Sequence, residues 1–307
     1  MNADDVPWGM RLKDQAGWNQ TPADWYRLLA LQPKGCFVAN WEGRMAGTAC
    51  VTNFGPVAWI SMLLVDTSYR GRGIGTRLME HALAWLDREK IRTVRLDATP
   101  LGRPVYARLG FAAEYEVARW ESTAEPKRLD AGSREEGGVS VSRSLGPAEN
   151  GSSGRGPISI LAQPPRILPV AREQLDEIAA LDRQATGTSR LRLLDRLHCE
   201  RPDAMRIAMA DGRIAGYSHF RLGSRARQIG PVIALDASSG EALLDAALHD
   251  AAGQPIYLDI PLVNLPATRW AESLGLGIQR QFIRMFRGEP VLDRPNRIWA
   301  GYGPEKG

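Results

Sequence analysis

The pattern Ala39-x-x-Glu42-Gly43-Arg44-x-Ala46-Gly47 returns later in the chain as Ala208-x-x-Asp211-Gly212-Arg213-x-Ala215-Gly216. Farther along, Leu83 matches Leu248 and Leu109-Gly110 matches Leu274-Gly275, with one separation serving both pairs. Such offsets mark a tandem duplication, so whatever the first half folds into, the second folds into as well. A length of 307 residues with 44% hydrophobic content suits two cores better than one. From Ser122 to Gln163 the chain turns to Gly, Ser, Glu, Arg and Pro, which bury too little to offset ordering. The expected division is therefore a domain over 1–121, a flexible linker over 122–163, a second domain over 164–290 and a C-terminal tail over 291–307.

Helical spacing of apolar residues runs over Asp5–Ala16 and Pro22–Leu31, with Thr21 placed as an N-cap ahead of Pro22. Gly35–Asn40, Met45–Asn53 and Val57–Val65 read as strands, the first two joined over Glu42-Gly43. Ile74, Leu78, Ala82, Trp85 and Leu86 share a helical face. Thr93–Ala98 is a short strand, and Leu101–Leu109 is a helix that tolerates Pro104 only in its first turn.

A strand ending at Val65, then Arg70-Gly71-Arg72-Gly73-Ile74-Gly75, then an amphipathic helix make an anion site. Glycines let backbone approach closely, and uncapped amides and the helix dipole face the ligand. Arg70 and Arg72 add positive charge. A Walker loop needs a Lys-Ser or Lys-Thr ending that is absent, and a dinucleotide fingerprint from Gly71 needs Gly or Ala where Thr76 stands. Asp97, near the end of the next strand, keeps the dinucleotide reading open, although three antiparallel strands ahead of the turn fit a parallel nucleotide-binding sheet poorly.

The spacing of Arg70, Gly73 and Gly75 after Leu63-x-Val65 resembles motif A of the GNAT superfamily of N-acetyltransferases. Val105-Tyr106-Ala107-Arg108-Leu109-Gly110-Phe111 resembles that superfamily's final-helix signature. The resemblance covers about residues 5–121. It implies an α/β (α+β) fold with two GNAT-like domains, each a mixed, mostly antiparallel sheet flanked by helices. It further implies acetyl-CoA as co-substrate, with the main chain of Met62, Leu63, Leu64 and Val65 along the pantetheine arm. The amides of Arg70, Gly71, Arg72, Gly73, Ile74, Gly75 and Thr76 then take the pyrophosphate, Thr99 starts the last helix by the cofactor, and Tyr106 is the acid beside the sulfur. The family often has Pro where Thr67 stands and Asn where Thr99 stands, and its usual first strand has no counterpart ahead of the first helix.

No carboxylate lies between Trp59 and Val65, where the family often carries a base, which leaves Asp97 as the candidate base against a structural role in capping the next turn. Trp18 and Asn19, in the loop between the first two helices, are candidate acceptor contacts; Trp18 could equally staple the helices. Asp259 and Tyr257 reach a shared cleft only if the two domains face each other. His81 falls on a polar helix face, and Cys50 in a strand reads as a buried thiol. In the second copy Leu235 stands opposite Arg70, Ser238 opposite Gly73 and Ala271 opposite Tyr106, while Gly240 still matches Gly75 and Asn264 stands opposite Thr99. The second copy thus reads as degenerate, kept for acceptor binding or for covering the first cleft.

The 39 basic and 35 acidic residues are mixed along the chain, which argues against a nucleic-acid partner. Three cysteines without metal spacing suggest a reducing compartment, the cytoplasm, and no metal. No apolar run approaches membrane-spanning length. The expected activity is acetyl transfer from acetyl-CoA to a small-molecule amine, with protein-lysine acetylation or a non-catalytic acyl-CoA sensor as alternatives.

Overall fold

Period-2 alternation with β-branched and aromatic residues builds strands, and in the computed structural model these join into one sheet rather than two. The structure describes residues 1–122, 163–251 and 253–304; the body of the expected linker lies outside them. The first half gives α1 (Val6–Gln15), α2 (Pro22–Leu31), β1 (Cys36–Trp41), β2 (Arg44–Phe54), β3 (Val57–Val65), α3 (Ile74–Arg88), β4 (Thr93–Ala98), α4 (Arg103–Arg108) and β5 (Ala112–Ser122). The second gives β6 (Arg166–Pro169), α5 (Leu175–Thr186), α6 (Leu191–Glu200), β7 (Met205–Ala210), β8 (Arg213–Arg221), β9 (Arg227–Ala234), α7 (Ala237–Asp250), β10 (Ile256–Pro261), α8 (Leu265–Ser273), β11 (Gly277–Gly288) and β12 (Ile298–Ala300).

The repeated sequence makes a repeated hairpin. Glu42-Gly43 and Asp211-Gly212 all take positive φ, which is what a two-residue hairpin turn matched to strand twist requires. Within each half a parallel pair follows, β3 with β4 and β9 with β10, while the other pairings are antiparallel.

The sheet order is β1-β2-β3-β4-β11-β5-β10-β9-β8-β7-β6, with β12 against β9. Each half therefore passes its last long strand into the other: β11 pairs with β4, and β5 with β10. The exchange is sealed by two buried ion pairs in corresponding places. Arg284 on β11 stands opposite Asp97 on β4 and gives it two hydrogen bonds, at 2.9 and 3.0 Å. Arg119 on β5 stands opposite Asp259 on β10 and gives it two, both at 2.8 Å. Paired, such charges hold register; removing one partner typically costs about 3–5 kcal/mol.

Helices cover both faces. α3 buries Ile74, Leu78, Met79, Ala82, Leu83 and Leu86. α1 and α2 bring Val6, Leu12, Trp25 and Leu28 against Cys50, Met62 and Leu64 on the other face. A shared cluster of Leu31, Phe54 and Trp59 with Leu193, Leu197 and Tyr302 packs the halves together. Of the segment 291–307, expected as a tail, the described residues 291–304 include β12 and the fully buried Trp299 and Tyr302, which join the core.

Candidate active site

The parallel pair β3–β4 is joined only over Val57–Trp59 and Thr93–Arg95. Beyond it the strands diverge, leaving the rest of β3 without a strand partner on that side among the described residues. The register of β3 with β2 shifts between Thr48 and Cys50, and Met62 has φ of +50. This bulge turns Ile60 and Met62, two residues apart, to opposite faces of the sheet, Ile60 toward α3 and Met62 toward α1 and α2. Thr48 Oγ1 donates to the Met62 carbonyl at 2.8 Å and fixes it.

The turn that follows is open. Gly73 caps α3 with φ of +74 and no side chain hydrogen-bonds to the first-turn amides. A Cβ built at Gly71 or Gly73 would meet nothing within 4 Å, and one at Gly75 would meet only Val65, at 3.5 Å. Arg70 lies along the turn, its Nε donating to the Val65 carbonyl at 3.3 Å. Leu63, Val65, Arg70, Gly73, Thr76 and Tyr106 are among the walls of a cleft of about 430 Å³ here. Arg72 leaves it: its guanidinium lies 5.5 Å from the Trp41 ring and 5.7 Å from Tyr69. Leu64 points under α1 and α2, so only its main chain is available.

Tyr106 also lines a second cavity, of about 120 Å³, together with Trp18, Ser61, Asp97, Arg280 and Phe282. Its ring thus stands where cleft and cavity adjoin. Burial pushes its phenol up to about 12, which keeps it protonated across the neutral range.

Three expected site residues have other employment. Both Asp97 oxygens accept from Arg284, and the Tyr115 hydroxyl accepts from the same guanidinium at 2.7 Å; with both oxygens occupied in this way, the geometry speaks against Asp97 as base. Asn19 is buried away from the cavity and clasps the second half, accepting from the Arg225 and Ala226 amides at 2.9 and 3.0 Å and donating to the Ala226 carbonyl at 2.9 Å. Its neighbours Trp18 and Gln20 reach the cavity instead. Thr99 lines the second cavity, and its hydroxyl and carbonyl accept from the Gly102 amide at the start of α4.

Sequence reasoning missed Arg119, Arg280, Phe282 and Pro304, which also face this cavity. All but Arg119 come from the second half, which therefore does reach the first half's site. A signal was present for Arg119: it recurs as Arg284 at the same separation that relates Leu83 to Leu248.

The corresponding place in the second half is closed. β12 pairs with β9 through Ile298–Ile233 and Ala300–Val232, on the side where β3 is open. The Gly301 amide donates to the Asp259 carbonyl at 2.8 Å, and Asn264 Nδ2 to the Ile298 carbonyl at 3.0 Å. Asp236 caps α7, accepting from the Ser239 amide at 2.8 Å. A Cβ at Gly240 would fall 1.9 Å from the Trp299 indole. Pro231 occupies the strand position of Met62 and has no N–H to offer. Ala271, at the place of Tyr106, is fully buried in the core.

Among the described residues no group of three or more His, Cys, Asp or Glu is placed to hold a metal, and no helix is long and apolar enough to cross a membrane.

Residues 7–111 match a family described as "Acetyltransferase (GNAT) family", and residues 178–300 match "Acetyltransferase (GNAT) domain". An uncharacterized N-acetyltransferase of Bacillus subtilis, YitH, is 23% identical over 257 residues, 82% of this chain and 77% of its own. A putative acetyltransferase from Pyrococcus horikoshii shares the fold with a TM-score of 0.75 at 21% identity, over 100% of this chain and 94% of its own. A tandem GNAT protein from the clavulanic acid biosynthesis pathway does so with a TM-score of 0.59 at 16% identity, over 94% and 98%.

Proposed function

The chain belongs to the GNAT acetyltransferases in both of its halves, and from that premise we propose that it transfers an acetyl group from acetyl-CoA to the primary amine of a small molecule, with the chemistry in the first half alone. The observation that carries this reading is the pair of adjoining spaces, a cleft at an uncapped helix start and a smaller cavity, with Tyr106 lining both.

The residues fit the co-substrate. The amides from Gly71 to Thr76 form a cradle that side chains at Gly71 and Gly73 would fill, and the α3 dipole favours a diphosphate there. The main chain of Met62–Val65 has no β4 partner among the described residues, and apart from the Met62 and Val65 carbonyls, which accept from Thr48 and Arg70, it is proposed to bond an extended amide-bearing arm. Acetyl-CoA would supply an activated acyl thioester; the amine nitrogen bonds to the acyl carbon, the C–S bond breaks, the sulfur leaves as thiol with the Tyr106 proton, and the proton shed by the nitrogen restores the phenol. Tyr106 holds a proton at Oη, beside the meeting of the two spaces, for that sulfur. With both Asp97 oxygens on Arg284 and Asp259 on Arg119, the acceptor enters as the free amine.

The second half closes the acceptor side through Arg280, Phe282 and Pro304. A small, partly closed cavity with second-half residues in its wall favours a small amine over a lysine on a protein surface, which needs an open groove.

Acyl transfer is tested by following thiol release from acetyl-CoA across a panel of amines. Tyr106→Phe is expected to lower kcat by about a hundredfold with little change in CoA affinity. In the wild type kcat/KM is expected to climb with pH as the acceptor amine deprotonates, with no decline due to Tyr106 below pH about 12. An unchanged kcat in Tyr106→Phe removes the phenol from the mechanism.

A further inference from the structure

We propose that the acceptor is an amine that also carries a carboxylate, and that Arg280 holds the carboxylate in the cavity beside Tyr106. This rests on the acyl-transfer reading above and gives it a substrate class.

Arg280 lies on β11, the strand that the second half passes into the first. In the register of β11 with β5 it stands opposite Arg119. Like charges directly across a strand pair repel. Around it the buried charges of the exchange are matched: Arg119 with Asp259, Arg284 with Asp97, and Arg95 with Glu114 and Asp293. Arg280 is different, half-buried and making no ion pair or hydrogen bond to another described residue. Burial first, and Arg119 second, push its pKa below the ordinary arginine value, and the nearby Asp259, whose carboxylate is held by Arg119, and Tyr257 offset this only in part. Burial and the like charge are both unfavourable to the cation, and both are relieved by an anion from outside.

The cavity tells where that anion comes from. Arg280, Tyr106 and Ser61 line the same small space, and Trp18, Met62 and Phe282 give it apolar walls. Its one lining carboxylate, Asp97, is already engaged by Arg284. A guanidinium fork is shaped for a carboxylate, which it binds through two parallel N–H bonds. An acceptor anchored there by its carboxylate presents its amine within the width of the cavity, near the Tyr106 hydroxyl.

The test pairs each amino acid with its decarboxylated counterpart: alanine with ethylamine, β-alanine likewise, 4-aminobutyrate with propylamine, and phenylalanine with phenethylamine. In the thiol-release assay at least one carboxylated member is expected to exceed its counterpart in kcat/KM by about tenfold or more. That ratio is expected to collapse toward unity in Arg280→Gln and to survive in part in Arg280→Lys. Thiol release that favours the decarboxylated amines throughout overturns the inference while leaving acyl transfer standing. Should no amine release thiol, acyl transfer falls, and saturation-transfer NMR of butyrate against butyramide on the CoA-loaded protein decides the anion site by itself. Butyrate bound in preference, with the preference lost in Arg280→Gln, upholds it; equal signals overturn it.

Discussion

The turn after β3 and the turn after β9 descend from one repeated sequence, yet they treat their helix starts in opposite ways. After Val65 the chain runs through Asp66–Gly73 before α3, and the first-turn amides of α3 meet no capping side chain. After Ala234 only Leu235 and Asp236 intervene, and Asp236 brings its own carboxylate to the amides of α7. The same contrast holds along the strands. The open side of β3 faces a cleft, while the same side of β9 is taken by β12, with Trp299 lying on Gly240 where the first half keeps Gly75 clear. One fold thus leaves the helix start uncapped in one half, where we propose that the diphosphate and its arm bind, and satisfies the corresponding groups from within the chain in the other. The lesson is that a phosphate site depends on backbone groups left unsatisfied, and evolution can close it simply by satisfying them.

That contrast can be broken at its glycines. Gly73→Glu introduces a side chain at φ of +74 and a negative charge against the proposed pyrophosphate position. CoA affinity, measured by isothermal titration, is expected to fall by about a hundredfold or more. A Kd within about threefold of wild type, on the same scale of effects, removes the turn from the site.

The alanine pair sharpens the comparison. Gly240→Ala drives a methyl into Trp299, at 1.9 Å, and is expected to lower unfolding stability in urea by about 3 kcal/mol while leaving CoA affinity intact. Gly75→Ala meets only Val65 at 3.5 Å and is expected to alter stability by less than about 1 kcal/mol while weakening CoA. Reversed outcomes would mean that the open and closed turns have been exchanged.

A smaller effect distinguishes the halves by pH. Where β2 buries Cys50, β8 buries His219 at the matching register position. Burial, followed by the charge of Arg27, pushes His219 down to about 3. Because the unfolded imidazole titrates near its ordinary value and the folded one far below, stability is full above that value and is lost as pH falls toward 3. At pH 5 the loss from this residue is about 2 kcal/mol relative to neutral pH. His219→Phe is expected to flatten the urea stability profile between pH 7 and 5; a profile that keeps its slope assigns the acid sensitivity elsewhere.

Much of this organisation was legible in residues. Pro22–Leu31, Val57–Val65 and Thr93–Ala98 fall where their periodicity placed them, and the Gly-rich turn stands between β3 and α3 with its helix start uncapped. The repeat announced two copies of one unit. What the repeat could not show was strand exchange, because β5 and β11 carry the same pattern whichever neighbour they choose. For that reason Asp97 looked like a free carboxylate when its partner, Arg284, sits far along the chain, and Asn19 looked like an acceptor contact when it clasps the Arg225-Ala226 backbone. Arg280 and Phe282 were missed for the same cause. The segment around Trp299 read as a tail because its three-residue strand is too short for periodicity to register.

The central claim is that only the first half's turn offers its amides to a ligand. Titration of CoA into the intact chain, followed calorimetrically, tests it most directly. The account predicts one CoA per chain, abolished by Gly73→Glu and indifferent to Gly240→Ala; two CoA per chain, or a single one that persists in Gly73→Glu, contradicts it.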